Sequence, residues 1–385
     1  MRKASLSAAV LGILFSLSSS TNAADSRPLP AQTIAARQRF FGLENVNAKT
    51  GAVRSDRVIL SWLGVSGFAA AFKGHVVILD AYVARAGGFA NAPWPGIRYV
   101  GTTPEELAAI KPELILFGHA HFDHAGDLPQ VVRANPNALV AGTAEHCRDI
   151  TNEVRDVSFR CLSVFEERAD LGTVRELPAN VLPGVGITAV KQPHSSAPRD
   201  PVADPPFPFG AAACKTVPGL AFSLYPVQPD DPLSWDFATA GPPSGIIAVA
   251  WQIRVGDFAL LWEDTAGYIT GNCAVRGEIG CDRVPAAFAS LPQTDVRVGS
   301  IVVSGRSVLS QHINAVHEKL FIPVHHDACG YFLRKDLETE LAKLPAGTRP
   351  RLWFLSDPGD YLRPIVFDPE AKAWRDQARP DDDED

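Results

Sequence analysis

The decapeptide Gly118-His-Ala-His-Phe-Asp-His-Ala-Gly-Asp127 constrains this chain more than any other feature. Within it, His119, His121, Asp123 and His124 crowd four metal-competent side chains into six positions, directly after the apolar run Leu114-Ile-Leu-Phe117. A strand over residues 113–117 would carry this stretch to the edge of a sheet. In a tight loop beyond it, His119 and His121 would point one way, and Asp123 and His124 the other. Two imidazoles on one side and a carboxylate–imidazole pair on the other can serve two adjacent cations. Imidazole suits zinc, iron and nickel, and an oxygen ligand among nitrogens belongs to an open catalytic site rather than a closed structural one.

The unbroken His-x-His-x-Asp-His pattern resembles the signature of the metallo-β-lactamase superfamily. The resemblance implies further residues in a fixed order, each after an apolar run, and they are present from about residue 58 to 330. Asp80 ends Val76-Val-Ile-Leu79 and is expected to orient the His119 loop through hydrogen bonds. His194 follows Ile187-Thr-Ala-Val190 and is the expected third ligand of a first metal, with His119 and His121. Asp264 ends Phe258–Glu263 and, rather than Glu263, is the expected bridge between two metals, because Thr265-Ala-Gly267 follows it. Leu320–Val324 leads to His325 and His326. The family's Pro-x-His form selects His325, which with Asp123 and His124 would hold the second metal, and leaves His326 as a structural or substrate-facing residue. His75, His146, His312 and His317 are expected to be ordinary core or surface histidines.

The fold implied by the resemblance is a four-layered αββα sandwich of mixed α/β class, with the metals at one rim of the sheets. Strand-like apolar runs recur at 58–63, 76–79, 114–117, 138–141, 187–190, 246–254, 258–262, 300–303, 320–323 and 352–354. Helical signals alternate with them. Thr103-Pro-Glu-Glu supplies an N-cap, a proline in the first turn and two acids near the positive helix end, and residues 309–320 repeat apolar side chains at helical spacing. One catalytic domain over 58–370 is expected, with an N-terminal extension at 25–57 and an acidic, solvated tail at 371–385.

Residues 1–24 read as an export signal: Arg2 and Lys3, then the short apolar stretch 8–17, then small residues before Asp25. The stretch is too short for a membrane span, which needs roughly 20 apolar residues. Cleavage removes two positive charges and no acid, taking the formal charge of −7 to −9. An acidic chain with no basic run argues against nucleic acid as a partner and for a small-molecule substrate. A periplasmic or secreted location also suits disulfides for the six cysteines. The local pairs Cys147–Cys161 and Cys273–Cys281 are the easiest to close, which leaves Cys214 with Cys329. Between His194 and the strand near 246 lies an insert (195–245) rich in proline and carrying Phe207, Phe209, Phe222, Tyr225, Trp235 and Phe237. The composition predicts a stiff, irregular loop with a large apolar surface, expected to be either a surface flap or a lid over the site.

Together the ligands imply two divalent ions, zinc foremost with iron or manganese as alternatives. The chemistry implied is hydrolysis by a water activated between them, with Asp123 aligning the nucleophile. Leu60-Ser-Trp-Leu-Gly-Val-Ser-Gly-Phe68, Val77–Asp80 and Pro323-Val-His325 resemble the superfamily branch that includes L-ascorbate-6-phosphate lactonase and N-acylphosphatidylethanolamine phospholipase D, although that branch usually has histidine where Val65 stands. A lactone or ester is the expected substrate, ahead of a phosphodiester and then a β-lactam. Metal sequestration without catalysis is the alternative of a different class.

Overall fold

The computed structural model describes residues 28–84, 101–196, 202–205, 245–271, 280–300, 304–327, 333–355, 359–371 and 373–374. Among them, fifteen strands form two sheets. The first half of the chain supplies β1 (Val58–Gly64), β2 (Gly67–Phe72), β3 (His75–Leu79), β4 (Leu114–Leu116), β5 (Leu139–Thr143) and β6 (Arg160–Phe165). Two C-terminal strands, β14 (Pro364–Asp368) and β15 (Ala373–Trp374), complete an eight-stranded sheet in the order β15-β14-β1-β2-β3-β4-β5-β6. The second sheet, β13-β12-β11-β10-β9-β8-β7, is built from β7 (Val174–Glu176), β8 (Gly186–Pro193), β9 (Ile247–Val255), β10 (Phe258–Glu263), β11 (Val296–Ser300), β12 (Leu320–Val324) and β13 (Arg351–Leu352).

Both sheets change character in the same way. The meander β1–β2–β3 is antiparallel and β3–β4–β5–β6 parallel; likewise β8–β9–β10 is antiparallel and β10–β11–β12–β13 parallel. Parallel neighbours need crossovers, and helices supply them: α2 (Pro104–Ala109), α3 (Phe122–Ala125), α4 (Leu128–Ala134) and α5 (Ala144–Glu153) in the first half, α6 (Val284–Ala289), α7 (Ser307–Val316) and α8 (Leu333–Ala342) in the second. A further helix, α1 (Ala31–Phe41), precedes the sheets.

Side-chain alternation sorts the layers. Along β1, Val58, Leu60 and Trp62 enter the core between the sheets, where they meet Trp251, Leu260, Trp262, Val298 and Ile322. Ile59 and Leu63 face the other way, against Phe40, Leu107, Val131 and Ile150 of the helices. A second helical layer covers the other sheet, through Ala250, Leu261, Val284 and Phe288 and through Leu309, Phe321 and Leu337. Strands buried on both faces read as continuous apolar runs, which is why most of them stood out in the sequence. The arrangement is the expected αββα sandwich.

Some elements differ from the sequence reading. Of the run 300–303, expected as a strand, Ser300 ends β11, which begins four residues earlier at Val296, and residues 301–303 lie outside the described ones. The expected helix 309–320 ends at Val316 because His317 adopts a left-handed conformation (φ 55), and Leu320 already opens β12. The expected tail from 371 gives up Ala373–Trp374 to β15, with the Trp374 ring 4.9 Å from that of Phe367. The predicted N-cap holds: Thr103 Oγ1 accepts the Glu106 amide. Helix α1 is fastened by buried Arg37, which donates to the carbonyls of Ile110 and Gly51 at 2.8 and 2.9 Å.

The expected Cys147–Cys161 disulfide is present and links α5 to β6. Cys281 is also disulfide-bonded. Cys273, Cys214 and Cys329 lie outside the described residues, as do the expected export signal at 1–24 and most of the insert. No helix of the described residues is long and apolar enough to cross a membrane.

Candidate metal centre

Strand ends on one rim bring the polar residues together. Beyond β4, the Gly118 carbonyl accepts the Val249 amide at 2.8 Å, and Trp251 Nε1 donates to the Phe117 carbonyl at 3.2 Å. The second sheet thus anchors the loop that carries the histidines. Gly118 itself is required by space, since a Cβ there would fall inside the Asp264 carboxylate. After β8, Ser195 N donates to Thr265 Oγ1, Gln192 Nε2 to the Thr265 carbonyl and Gly267 N to the Pro193 carbonyl. These bonds lace the His194 segment to the end of β10, and a side chain at Gly267 would strike the His194 carbonyl.

Six of the seven expected ligands form two clusters. His121 Nδ1 lies 3.0 Å from His119 Nε2 and 3.1 Å from His194 Nε2. Beside them, His325 Nε2 lies 3.1 Å from Asp123 Oδ2 and 3.2 Å from His124 Nε2, and Asp123 Oδ2 is 3.7 Å from His124 Nε2. Ligands about 2.0 to 2.1 Å from one tetrahedral zinc would stand roughly 3.3 Å apart, so both sets have the spacing that a small cation requires. In each set the ligand atoms lie within 4.8 Å of one another. A third group brings Asp264 together with His119 and His124.

Asp264, expected between two metals, lies against a histidine of each set. Its Oδ2 lies 2.6 Å from His119 Nδ1 and 3.5 Å from His124 Nδ1, so it grips these rings on the nitrogen that faces away from the clustered Nε2 atoms. Asp80 does the same for His124, with Oδ2 2.7 Å from Nδ1, while its Oδ1 accepts the Gly118 amide at 3.3 Å. Asp80 follows β3 and Asp264 follows β10, equivalent strands of the two meanders. A carboxylate on Nδ1 fixes the tautomer and leaves the Nε2 lone pair for a metal. Asp264 Oδ1 is buried and has no hydrogen-bond partner, an acceptor of the kind a cation satisfies.

The electrostatics suit that use. Burial, reinforced by the neighbouring histidines, holds the His119 imidazole well below its ordinary pKa; burial does the same to His124 even though Asp123 opposes it. Both are therefore neutral and can offer lone pairs. Burial pushes Asp80 and Asp264 well up, each further raised by the carboxylates nearby. For Asp123 burial acts upward, but His124 and the hydrogen bond from His325 outweigh it and lower the pKa. His325 is raised: its burial is overcome by its bond to Asp123.

His326, expected to be structural or substrate-facing, is buried and takes the structural role. Its Nε2 donates to the Leu355 carbonyl at 2.7 Å, and its ring packs between Trp62 and Phe354. Glu263, the rival of Asp264, points to the far side of β10, where Arg297 and His312 hold its two oxygens. His312 is thus a structural tie, and its Nε2 also donates to the Gly267 carbonyl at 2.9 Å. His146 caps α5 and donates to the Ile247 carbonyl at 3.0 Å, joining the first sheet's helix layer to β9. Ser66 escaped the sequence reading: its hydroxyl lies 2.7 Å from Asp80 Oδ2 and 2.8 Å from His124 Nδ1. Its only signal was a small polar residue inside the glycine-flanked turn Gly64-Val-Ser-Gly67.

In strand order, helix placement and His-x-His-x-Asp-His loop, the chain has the metallo-β-lactamase fold. No family model matches it. It is similar to a UPF0173 metal-dependent hydrolase of Polynucleobacter asymbioticus, with 29% identity over 170 residues, which is 43% of this chain and 51% of the relative. A UPF0173 metal-dependent hydrolase of Pyrobaculum neutrophilum is 31% identical over 86 residues, 22% of this chain and 32% of that protein. The chain thus spans about half the length of one curated relative and a third of the other. Among solved structures, the metallo hydrolase Igni18 from Ignicoccus hospitalis superposes with a TM-score of 0.47 at 14% identity, over 81% of this chain and 98% of its own. The metallo-β-lactamase fold protein YhfI from Bacillus subtilis gives 0.43 at 10%, over 81% and 100%.

Proposed function

We propose that the protein is an exported hydrolase that holds two divalent metal ions, zinc foremost, and cleaves a lactone or carboxylic ester. The observation that carries this reading is the pair of three-residue sets, His119, His121, His194 and Asp123, His124, His325, each with ligand atoms at metal spacing. The relatives, named as metal-dependent hydrolases, support the reaction class. When bound, such ions supply Lewis acidity and a water whose pKa falls toward neutrality.

The protein's own residues do the rest. Asp80 and Asp264 hold the Nδ1 protons of His124 and His119, so that both Nε2 atoms turn inward. Asp123 is partly exposed while Asp80 and Asp264 are buried. It can accept a hydrogen bond from an attacking water and keep its oxygen aimed at an electrophilic carbon. Burial of the floor excludes bulk water and strengthens these bonds. The preference for a lactone rests on the resemblance of residues 60–68 and 323–325 to the lactonase branch, and Val65 marks where the chain leaves that pattern. The export proposal rests on residues 1–24, the charge pattern and the Cys147–Cys161 disulfide.

The test is a panel of lactones, aryl esters, phosphodiesters and β-lactams offered to mature protein reconstituted with zinc or manganese. Turnover of a lactone or ester that EDTA abolishes and added metal restores is expected. Turnover confined to phosphodiesters or β-lactams would replace the substrate assignment, and no turnover by fully loaded protein would favour metal binding without catalysis.

A further inference from the structure

One buried carboxylate near the site serves none of the roles above. Asp327 is 3% exposed. Both of its oxygens accept the Val65 amide at 3.1 Å, and Oδ2 also accepts the Tyr361 hydroxyl at 2.8 Å. Val65 sits in the turn between β1 and β2 with φ 50. A β-branched residue in that left-handed conformation is strained and persists only where its surroundings enforce it.

The strained turn is connected to the second ligand set on two sides. The Val65 carbonyl accepts the His325 amide at 2.8 Å and Trp62 Nε1 at 3.2 Å. The next residue, Ser66, reaches Asp80 and His124 with its hydroxyl, and its carbonyl accepts Trp262 Nε1 at 2.9 Å. Asp80 and His325 are themselves left-handed, at φ 52 and 67. Three strained non-glycine residues therefore meet around His124. His119, His121 and His194, by contrast, all have ordinary negative φ.

We propose that Asp327 is a positioning residue for the second metal alone. It clamps the Val65 turn, and through that turn it sets the main chain of His325 and, by way of Ser66, the ring of His124. The two Nε2 atoms are thereby held 3.2 Å apart before any ion arrives. Tyr361, its ring tilted against that of Trp62 at 4.8 Å, fixes the carboxylate in turn. The proposal rests on the two-ion reading of the site.

The experiment measures zinc binding to the mature, folded chain by equilibrium dialysis with elemental analysis, folding being checked by far-ultraviolet circular dichroism. Wild type should bind two ions. Asp327→Ala should bind the weaker ion about 10 to 100 times less tightly, the usual cost of losing a group that orients a ligand, with the other ion unchanged. The retained ion should vanish on adding His121→Ala and survive adding His325→Ala. In Val65→Gly/Asp327→Ala most of the lost affinity should return, because glycine takes a positive φ without a clamp. A merely structural Asp327 would give no such site-selective recovery. Should Asp327→Ala fail to fold, Asp327→Asn, which keeps one acceptor oxygen, should show a smaller loss confined to the same ion. A folded Asp327 variant that binds both ions as wild type does, or loses both equally, overturns the proposal while leaving the two-ion reading intact. Fewer than two ions in wild type would remove that reading and this proposal together.

Discussion

Gly118 shows how little freedom the site allows a single residue. A methyl group there would overlap the Asp264 carboxylate, and Asp264 is the partner of His119 Nδ1. Gly118→Ala should therefore cost about 1 to 3 kcal/mol of stability, as overpacking does, and should lower metal content with it; calorimetry and elemental analysis of one sample report both, and unchanged metal content would refute the crowding argument. Asp123 and Asp264 should be separable in the same way. Asp264 grips the outer nitrogens of rings from both sets, so Asp264→Ala should weaken both ions. Asp123 belongs to one set, so Asp123→Ala should spare the His119, His121, His194 ion, lose the other and cut turnover on the order of a hundredfold or more. Full activity in Asp123→Ala would contradict the assigned role. The sequence displayed the ligands well because four of them are adjacent and the others follow apolar runs. It could not show which edge of an imidazole a carboxylate takes, so the contacts of Asp264 with the Nδ1 atoms of His119 and His124 were not legible. Nor could it show that of the adjacent pair His325 and His326 one turns back into the core, since that follows from the Leu355 carbonyl lying across the sheet edge.

At the scale of elements, β10 and β11 depend on an ionic cluster that apolar pattern reading misses. Arg297, fully buried in β11, binds Glu263 and donates to Glu318 Oε1 at 3.0 Å, and its guanidinium lies 4.8 Å from the centre of the Phe321 ring. An arginine in a strand otherwise made of Val296, Val298, Gly299 and Ser300 hides the start of that strand from apolar pattern reading. Strand β2 was hidden differently: Ala69, Ala70 and Ala71 are weak strand formers, made extended by neighbours on both sides. The cluster has a pH signature. Burial raises the Glu263 pKa, but Arg297 and His312 more than compensate and bring it to about 2 from an ordinary 4.5. A depressed carboxylate stabilises the fold fully above about pH 4.5 and loses that contribution as pH falls toward 2. Acid unfolding of wild type should therefore include a component in this window that Glu263→Gln lacks. Arg297→Met, which leaves two carboxylates buried without their cation, should cost about 3 to 5 kcal/mol at neutral pH; a chemical denaturation midpoint equal to wild type would exclude that role.

Across the whole molecule, two similar halves face each other, and each ends its third meander strand in a carboxylate that holds a histidine of the loop after β4. The sandwich was legible because both faces of its strands are buried, while the pairing of β14 with β1, residues 364–367 against 58–61, is a long-range contact that no local pattern announces. The Cys147–Cys161 disulfide closes a short loop, its cysteines 14 residues apart. Replacing both with serine should lower stability by about 3 kcal/mol on the loop-entropy estimate, read as an earlier denaturation midpoint with metal content unchanged. Loss of metal would mean that the loop supports the site as well as the fold. Metal should stabilise the molecule in turn, since a ligand that binds only the folded state adds about 2.7 kcal/mol at a hundred times its dissociation constant. The most direct test of the central claim is the number of ions bound per chain by mature wild-type protein after dialysis against zinc: two is the expected result, with one lost in His325→Ala and the other in His121→Ala, and one ion or none in the wild type would contradict the account.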